Sequence, residues 1–310
     1  MKAFYTDHFV LPLPPSHRFP MEKYSRLRDA VQTLAGLELV EAPSATDTQI
    51  LYAHDPGYLV KVIQGTLSAQ EQKEIGFPWS RQMVERSRRS AGATLAAAKI
   101  ALKDGIAANL AGGTHHAYRD RGSGFCVFND SVITARTLQK ELDPNLRIAI
   151  IDLDVHQGNG TASILKNDTS IFTLSIHGEN NFPFSKEVSD FDVGLADGCN
   201  DQTYLQVLSE ALNFLSSDFK PNFIIYLAGA DPHEEDRLGR LKISKEGMRL
   251  RDETVFQYGL DRHIPIAFSM AGGYGKEISS TVDIHLQTIQ TALRLLKNYR
   301  HAPIGSALKK

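Results

Sequence analysis

Cysteine is scarce in this sequence. Cys126 and Cys199 are the only two, too few for a disulfide framework, and this usage points to a reducing compartment. Charge of one sign is not in excess: 34 lysines and arginines face 36 aspartates and glutamates, for a formal net charge of −2. No basic face of the kind that direct nucleic-acid binding requires is expected. Apolar runs of membrane-spanning length are missing, as are repeats, low-complexity tracts and Gly/Ser-rich linkers. The opening MKAFYTDHF carries charge where a signal peptide would be apolar. These absences argue against a secreted disulfide scaffold, a membrane span and a repeat array, and leave a cytoplasmic enzyme as the expectation.

What is present is an ordinary globular composition, 42% hydrophobic and 23% charged, able to bury a large core around a rigid site. Pro12, Pro14 and Pro15 mark an early surface loop. Five short apolar runs, at residues 106–111, 148–153, 171–176, 223–228 and 264–270, read as buried strands. Between and around them, residues 81–103, 131–142, 201–219, 245–260 and 278–299 carry helical periodicity. Ala91, Ala93, Ala96, Ala97 and Ala98 suit close packing of the first of these helices. Strands alternating with helices predict an α/β fold: an open, mostly parallel sheet with helices on both faces, as one domain over residues 1–310.

Open parallel sheets bind ligands beyond the carboxyl ends of their strands. The polar residues of interest follow those ends: GGTHH at 112–116, Asp152, Asp154 and His156, Asp231, and GGY at 272–274. Side chains at positions i and i+2 of extended backbone share a side. Asp154 and His156 can therefore meet one cation, with Asp231 as a third ligand from another strand end. Two carboxylates and an imidazole with an open position suit a catalytic divalent metal, zinc foremost, with iron or cobalt also compatible. By itself Asp-x-His is a weak signal; the joint pattern at four strand ends strengthens it.

At these residues the sequence resembles the histone deacetylase superfamily, which includes acetoin utilisation proteins and acetylpolyamine amidohydrolases, and it looks most similar to the class IV branch and its bacterial relatives. The resemblance is carried by HRFPMEKY at 17–24, GFPWS at 76–80, GGTHHAYRDRGSGFCVFND at 112–130, DLDVHQGNG at 152–160, AGADPHEEDRLGRLKIS at 228–244 and MAGGY at 270–274. It implies an arginase/deacetylase-like fold and zinc-dependent removal of acyl groups. By position, it makes Asp154, His156 and Asp231 the zinc ligands, His115 and His116 the tandem histidines and Tyr274 the catalytic tyrosine. It places Gly124 and Phe125 in one wall of an acyl-lysine tunnel, Phe182 in the opposite wall, and Arg18 beside an inner pocket for the released acid. It also implies a structural potassium ion, held by Asp152, Ser175 and the main-chain oxygens of Asp154, His156 and Ile176.

Chemically, zinc would polarise the acyl carbonyl and lower the pKa of water. His116 is the expected general base, His115 backed by Asp152 its electrostatic partner, and Tyr274 the oxyanion donor. Where many family members carry an aspartate partner for the second histidine, this sequence has Asn159, which predicts a less basic His116. The expected substrate is an acylated lysine in a peptide or protein, with an acetylpolyamine as the alternative and acyl chain length open. A catalytically silent acyl-lysine binding module is disfavoured by retention of the ligands, both histidines and Tyr274. A dimanganese ureohydrolase is disfavoured because Gly158 and His233 stand where further carboxylate ligands would be needed. His8, His17 and His54 are given no ligand role, His177 is read as ending a strand near the cation site, and Cys126 is read as a buried small residue. Arg86, Arg88 and Arg89 are expected to form a solvated helix face, and Glu234, Glu235 and Asp236 a solvated loop.

Overall fold

The computed structural model describes residues 1–15 and 17–301; Ser16 and residues 302–310, which the expected 1–310 domain includes, lie outside the described residues. Eight strands form one sheet: β1 (Lys2–Tyr5), β2 (Glu38–Glu41), β3 (Ile106–Asn109), β4 (Ile148–Asp152), β5 (Ile171–Gly178), β6 (Phe191–Leu195), β7 (Phe223–Leu227) and β8 (Ile266–Ser269). Their order is β2-β1-β3-β8-β7-β4-β5-β6, and every pairing is parallel. The helices are α1 (Glu22–Val31), α2 (Asp47–Leu51), α3 (Pro56–Gln64), α4 (Ala69–Ile75), α5 (Arg81–Asp104), α6 (Asp130–Glu141), α7 (Asn159–Leu165), α8 (Asp201–Asp218), α9 (Lys245–Asp261) and α10 (Ile278–His301).

All five expected strands are present, and they are the ones buried on both faces. In β4, Ala149 and Ile151 join the core beneath α1, α8, α9 and α10. Ile148 and Ile150 join a second core beneath α2, α3, α5 and α6. Helices thus cover both faces, as parallel sheets demand. The sequence pattern missed β1, β2 and β6. Two of these are the sheet edges, and the half-exposed ELVE of β2 and FDVGL of β6 lack continuous apolar runs. It also missed α1 through α4 and α7, of which all but the ten-residue α1 have nine residues or fewer.

The five expected helices begin and end close to the expected limits, with local causes. Ser80 caps α5 by accepting from the Met83 N–H, and Gly105 at φ +91° ends it. Within α5, a Cβ at Gly92 would overlap the carbonyl of Pro43, so that helix and loop touch backbone to backbone. The topology fixes where the site forms. From β3 the chain crosses to β4, runs outward through β5 and β6, then returns to fill the gap with β7 and β8. The carboxyl ends of β3, β8, β7 and β4 therefore lie side by side at a switch in strand order, the place where open α/β sheets hold ligands.

Candidate metal centre and acyl cavity

Asp154 and His156 lie just past β4, and Asp231 just past β7. All three are buried, and their ligand atoms lie within 4.8 Å of one another. His156 Nδ1 is 2.9 Å from Asp154 Oδ1 and 3.2 Å from Asp231 Oδ2. The remaining oxygens are held by backbone. Asp154 Oδ2 accepts from the Gly272 N–H at 2.7 Å, and Asp231 Oδ1 from the Val155 N–H at 2.9 Å. Asp231 Oδ2, fully buried, accepts no hydrogen bond. Its position beside His156 lacks hydrogen-bond geometry, and a buried carboxylate oxygen left in that way fits a cation. A Cβ at Gly272 would overlap Asp231 Oδ2, so only glycine leaves this space open.

The electrostatics follow from crowding. Burial alone would keep Asp231 protonated, and Asp154 adds to that; together they push it up to about 7 even with His156 pulling the other way. Burial opposes the charge on His156, but Asp154 and Asp231 outweigh it and raise the imidazole to about 10. Three charged groups confined in this way form a coupled set. A dication at the centre would hold both carboxylates ionised and displace the proton from His156.

His115 and His116 are presented by the loop after β3. Gly112 and Gly113 have φ of +76° and +71°, and Asp130 at the start of α6 pins the loop. Its carboxylate accepts from the N–H groups of Gly113 and Thr114 and from the hydroxyls of Thr94 and Thr114. The motif pattern did not single out Asp130, although it closes the 112–130 segment.

The two histidines differ in their partners. His115 Nδ1 lies 2.6 Å from Asp152 Oδ2. Burial lowers its proton affinity, but the Asp152 and Asp154 carboxylates prevail and raise it to about 9. His116 Nδ1 lies 2.7 Å from Asn159 Oδ1, an acceptor only, so Nδ1 carries the proton and Nε2 keeps its lone pair. Burial, then the positive fields of His115 and His156, hold His116 well below the usual histidine range. Asn159 Nδ2 in turn donates to the Tyr118 hydroxyl at 2.8 Å.

Tyr274 follows β8 across the centre, its ring 6.4 Å from that of His156. Burial and the Asp154 and Asp231 carboxylates keep its phenol protonated far above neutrality. Asp236 is not part of a solvated loop, as the sequence suggested. It is buried, and it accepts from the Tyr274 N–H at 2.6 Å while also capping Leu238 and Gly239. Glu234 and Glu235 are exposed.

A cavity of about 590 Å³ reaches this centre, lined among others by His116, Asp154, His156 and Tyr274. Phe125 and Phe182 form its walls. The Phe182 ring sits edge-on to His116 at 4.9 Å, and the Phe125 ring lies 6.1 Å from Tyr274. Phe125 adopts φ +66°, locked by Phe19 and Phe77. A Cβ at Gly124 would lie 2.6 Å from the His116 ring, so the glycine lets the wall approach the base. Arg18 borders the cavity but is exposed; the buried cation at the inner end is Lys23, donating to the carbonyls of Ala271 and Gly273. Lys23 lies inside the HRFPMEKY segment, but no spacing rule marked it.

The residues read as non-ligands are structural. His17 bonds to the Gly76 carbonyl, His54 accepts from the Asn129 N–H, and His177 bonds to Ser175. Burial raises the Cys126 thiol, which leaves it unreactive. Asp152 and Ser175 are register partners in β4 and β5, with Ile176 next along β5. Gly158 has no room for the carboxylate that a second metal would need, because a Cβ there would overlap Asp152 Oδ2. Among the described residues, Asp154, His156 and Asp231 are the cluster with metal-binding geometry.

Fold and donor set together define the class: a parallel α/β fold of the arginase/deacetylase type with one candidate metal site at the sheet's carboxyl edge. Within that class the chain belongs to the histone deacetylase family, whose domain model matches residues 17–289. An uncharacterised protein of Picosynechococcus sp. is 43% identical to it, over 91% of this chain and 94% of that protein. Histone deacetylase 2 of Arabidopsis thaliana is 32% identical, over 86% of this chain and 72% of its own length. Among solved structures, a histone deacetylase homologue from Aquifex aeolicus superposes with a TM-score of 0.81, covering 94% of this chain and 83% of that one. At 24% identity that likeness concerns the fold alone.

Proposed function

We propose that this deacetylase-family hydrolase is a zinc-dependent amidohydrolase that removes acetyl or longer acyl groups from lysine side chains in peptides or proteins. The observation that carries this reading is the placement of His116, its Nδ1 2.7 Å from Asn159 Oδ1, beside the buried cluster of Asp154, His156 and Asp231. Zinc held by those three would supply polarisation of the acyl carbonyl and a more acidic water. His116 Nε2 takes the proton from the attacking water and returns it to the departing amine. His115, cationic through Asp152, stabilises the negative charge that builds up. Tyr274 donates its hydroxyl hydrogen to the developing oxyanion, a contribution of roughly 3–4 kcal/mol. Phe125 and Phe182 sheathe the methylene stem of the lysine and keep water from it. Asp152, Ser175 and the main chain at Ile176 would hold a structural potassium ion behind His115.

Peptide substrates are favoured over free polyamines by charge. Among the exposed residues that line the cavity, Arg18 and Lys73 face Glu74, while Arg240 is paired with Asp197 at 3.2 Å, a slight positive excess that disfavours a polycation. The test is one assay panel on zinc-loaded protein: lysine peptides with acyl chains of increasing length, alongside acetylated polyamines. Peptide deacylation is expected. A strong preference for polyamines would sink the peptide reading, and failure to cleave anything would favour a silent binding module.

A further inference from the structure

Arg86 was expected on a solvated helix face with Arg88 and Arg89. Those two are half-buried, paired with Asp47 and Glu85. Arg86 instead turns inward. It is 6% exposed and lines the cavity. Its Nη1 donates to the carbonyls of Thr6 and Phe9, and its guanidinium lies 4.3 Å from the centre of the Tyr24 ring. On the same ring sits Lys23 Nζ at 5.2 Å, itself 5.5 Å from the ring of Tyr274. A continuous path of side chains thus runs from the metal centre through Tyr274, Lys23 and Tyr24 to Arg86.

Among the described residues neither cation has a carboxylate partner. Both rest on neutral carbonyls, which leaves their charge uncompensated at the inner end of the cavity. Arg86 spends only Nη1 on those carbonyls. Its Nε–H and Nη2–H form the planar edge that matches a carboxylate with two parallel hydrogen bonds. Ser87 and Ser90, on the same stretch of α5, also line this space. Polar groups at the far end of an otherwise aromatic cavity select a ligand with a polar terminus, because leaving them unpaired penalises a plain hydrocarbon.

We infer that the inner end of the cavity seats the terminal carboxylate of a dicarboxylic acyl group, so that lysine carrying a succinyl-, glutaryl- or adipoyl-type chain is a substrate. This rests on the deacylase reading above and specifies its acyl group. The reaction is the same hydrolysis. Water oxygen bonds to the acyl carbon, the C–N bond breaks, the amine leaves with the proton from His116, and the products are free lysine and a dicarboxylate. Arg86 is a specificity residue that holds the distal carboxylate while the proximal carbonyl sits at the metal.

The test compares kcat/KM for peptides bearing acetyl-, butyryl-, succinyl-, glutaryl- and adipoyl-lysine, in the wild type and in Arg86→Met and Arg86→Lys. At least one dicarboxylic chain is expected to equal or exceed butyryl. The ratio of that chain to butyryl should fall tenfold or more in Arg86→Met, with partial recovery in Arg86→Lys. Glutarate should inhibit the wild type at least tenfold more strongly than butyrate, a measurement that stands even if the variants fail to fold. Cleavage of acetyl or butyryl peptides with none of the dicarboxylic ones overturns the inference and leaves the deacylase reading intact. Equal inhibition by butyrate and glutarate also overturns it, since the fork then serves only the released acid. No cleavage of any peptide removes the deacylase reading and this inference with it.

Discussion

Burial first, and then the fields of His115 and His156, hold His116 below the usual histidine range, and Asn159 is the adjustable contact. An amide oxygen orients the ring but adds no negative charge to stabilise imidazolium. Asn159→Asp should raise the proton affinity of His116 and move the acidic limb of the kcat/KM profile to higher pH; an unmoved limb would refute the assigned base. Tyr274→Phe should lower kcat by about 10²–10³ at unchanged metal content, since it removes one oxyanion donor. His54 gives a stability prediction remote from the chemistry. Burial holds it down at about 4 although the carbonyls of Arg119 and Tyr118 pull upward, whereas in the unfolded chain it titrates near 6.5. Between those values the unfolded state takes up a proton that the folded state refuses. Stability should therefore fall as pH drops from about 6.5 to 4, by on the order of 3 kcal/mol from this residue. In His54→Gln, whose amide oxygen can still accept from Asn129, urea unfolding should depend less on pH across that window.

At the scale of elements, the ligand loops after β4 and β7 are held together from behind by α9. Arg251, completely buried, donates from Nη1 to the carbonyl of Leu153 at 3.3 Å and to that of Gly229 at 2.5 Å. Leu153 precedes Asp154, and Gly229 lies two residues before Asp231, so one side chain sets the separation of two ligands. Asp252 balances its charge at 2.7 Å and is itself held by Tyr226 and Thr288. Arg251→Met strands the Asp252 charge and both carbonyls. A loss of roughly 3–5 kcal/mol in unfolding free energy is expected, together with faster zinc release to a chelator. Zinc release at the wild-type rate would show that the clamp serves folding only.

For the whole molecule, the eight parallel strands put every ligand-bearing loop on one edge of the sheet. A metal ion held by Asp154, His156 and Asp231 would tie the loops after β4 and β7 together and screen two buried carboxylates from each other. Its removal should destabilise the fold. A ligand present at 1,000 times its Kd stabilises by about 4 kcal/mol, so a chelator should lower Tm by several degrees and one equivalent of zinc should restore it. Saturation at two equivalents per chain would contradict the single seat inferred from Gly158.

The buried strands and long helices were legible because both rest on local periodicity. In β3, β4, β5, β7 and β8 every residue is buried, so they stand out as largely apolar stretches. The edge strands were not legible, because half-exposed strands carry no such run. Asp154, His156, Asp231, His115, His116 and Tyr274 could be named from motif and strand-end position. Lys23, Arg86, Asp130, Asp236 and Arg251 could not be assigned their roles, because each acts on a partner distant in sequence: Lys23 on the carbonyls of Ala271 and Gly273, Arg251 on that of Leu153. By itself the sequence determined the fold class, the family resemblance and the chemical types at the centre, since these are written in short-range pattern. The tertiary structure alone decided which cation faces the cavity and what holds the two ligand loops apart. Burial and long-range pairing set those properties, and neither exists until the chain has closed on itself.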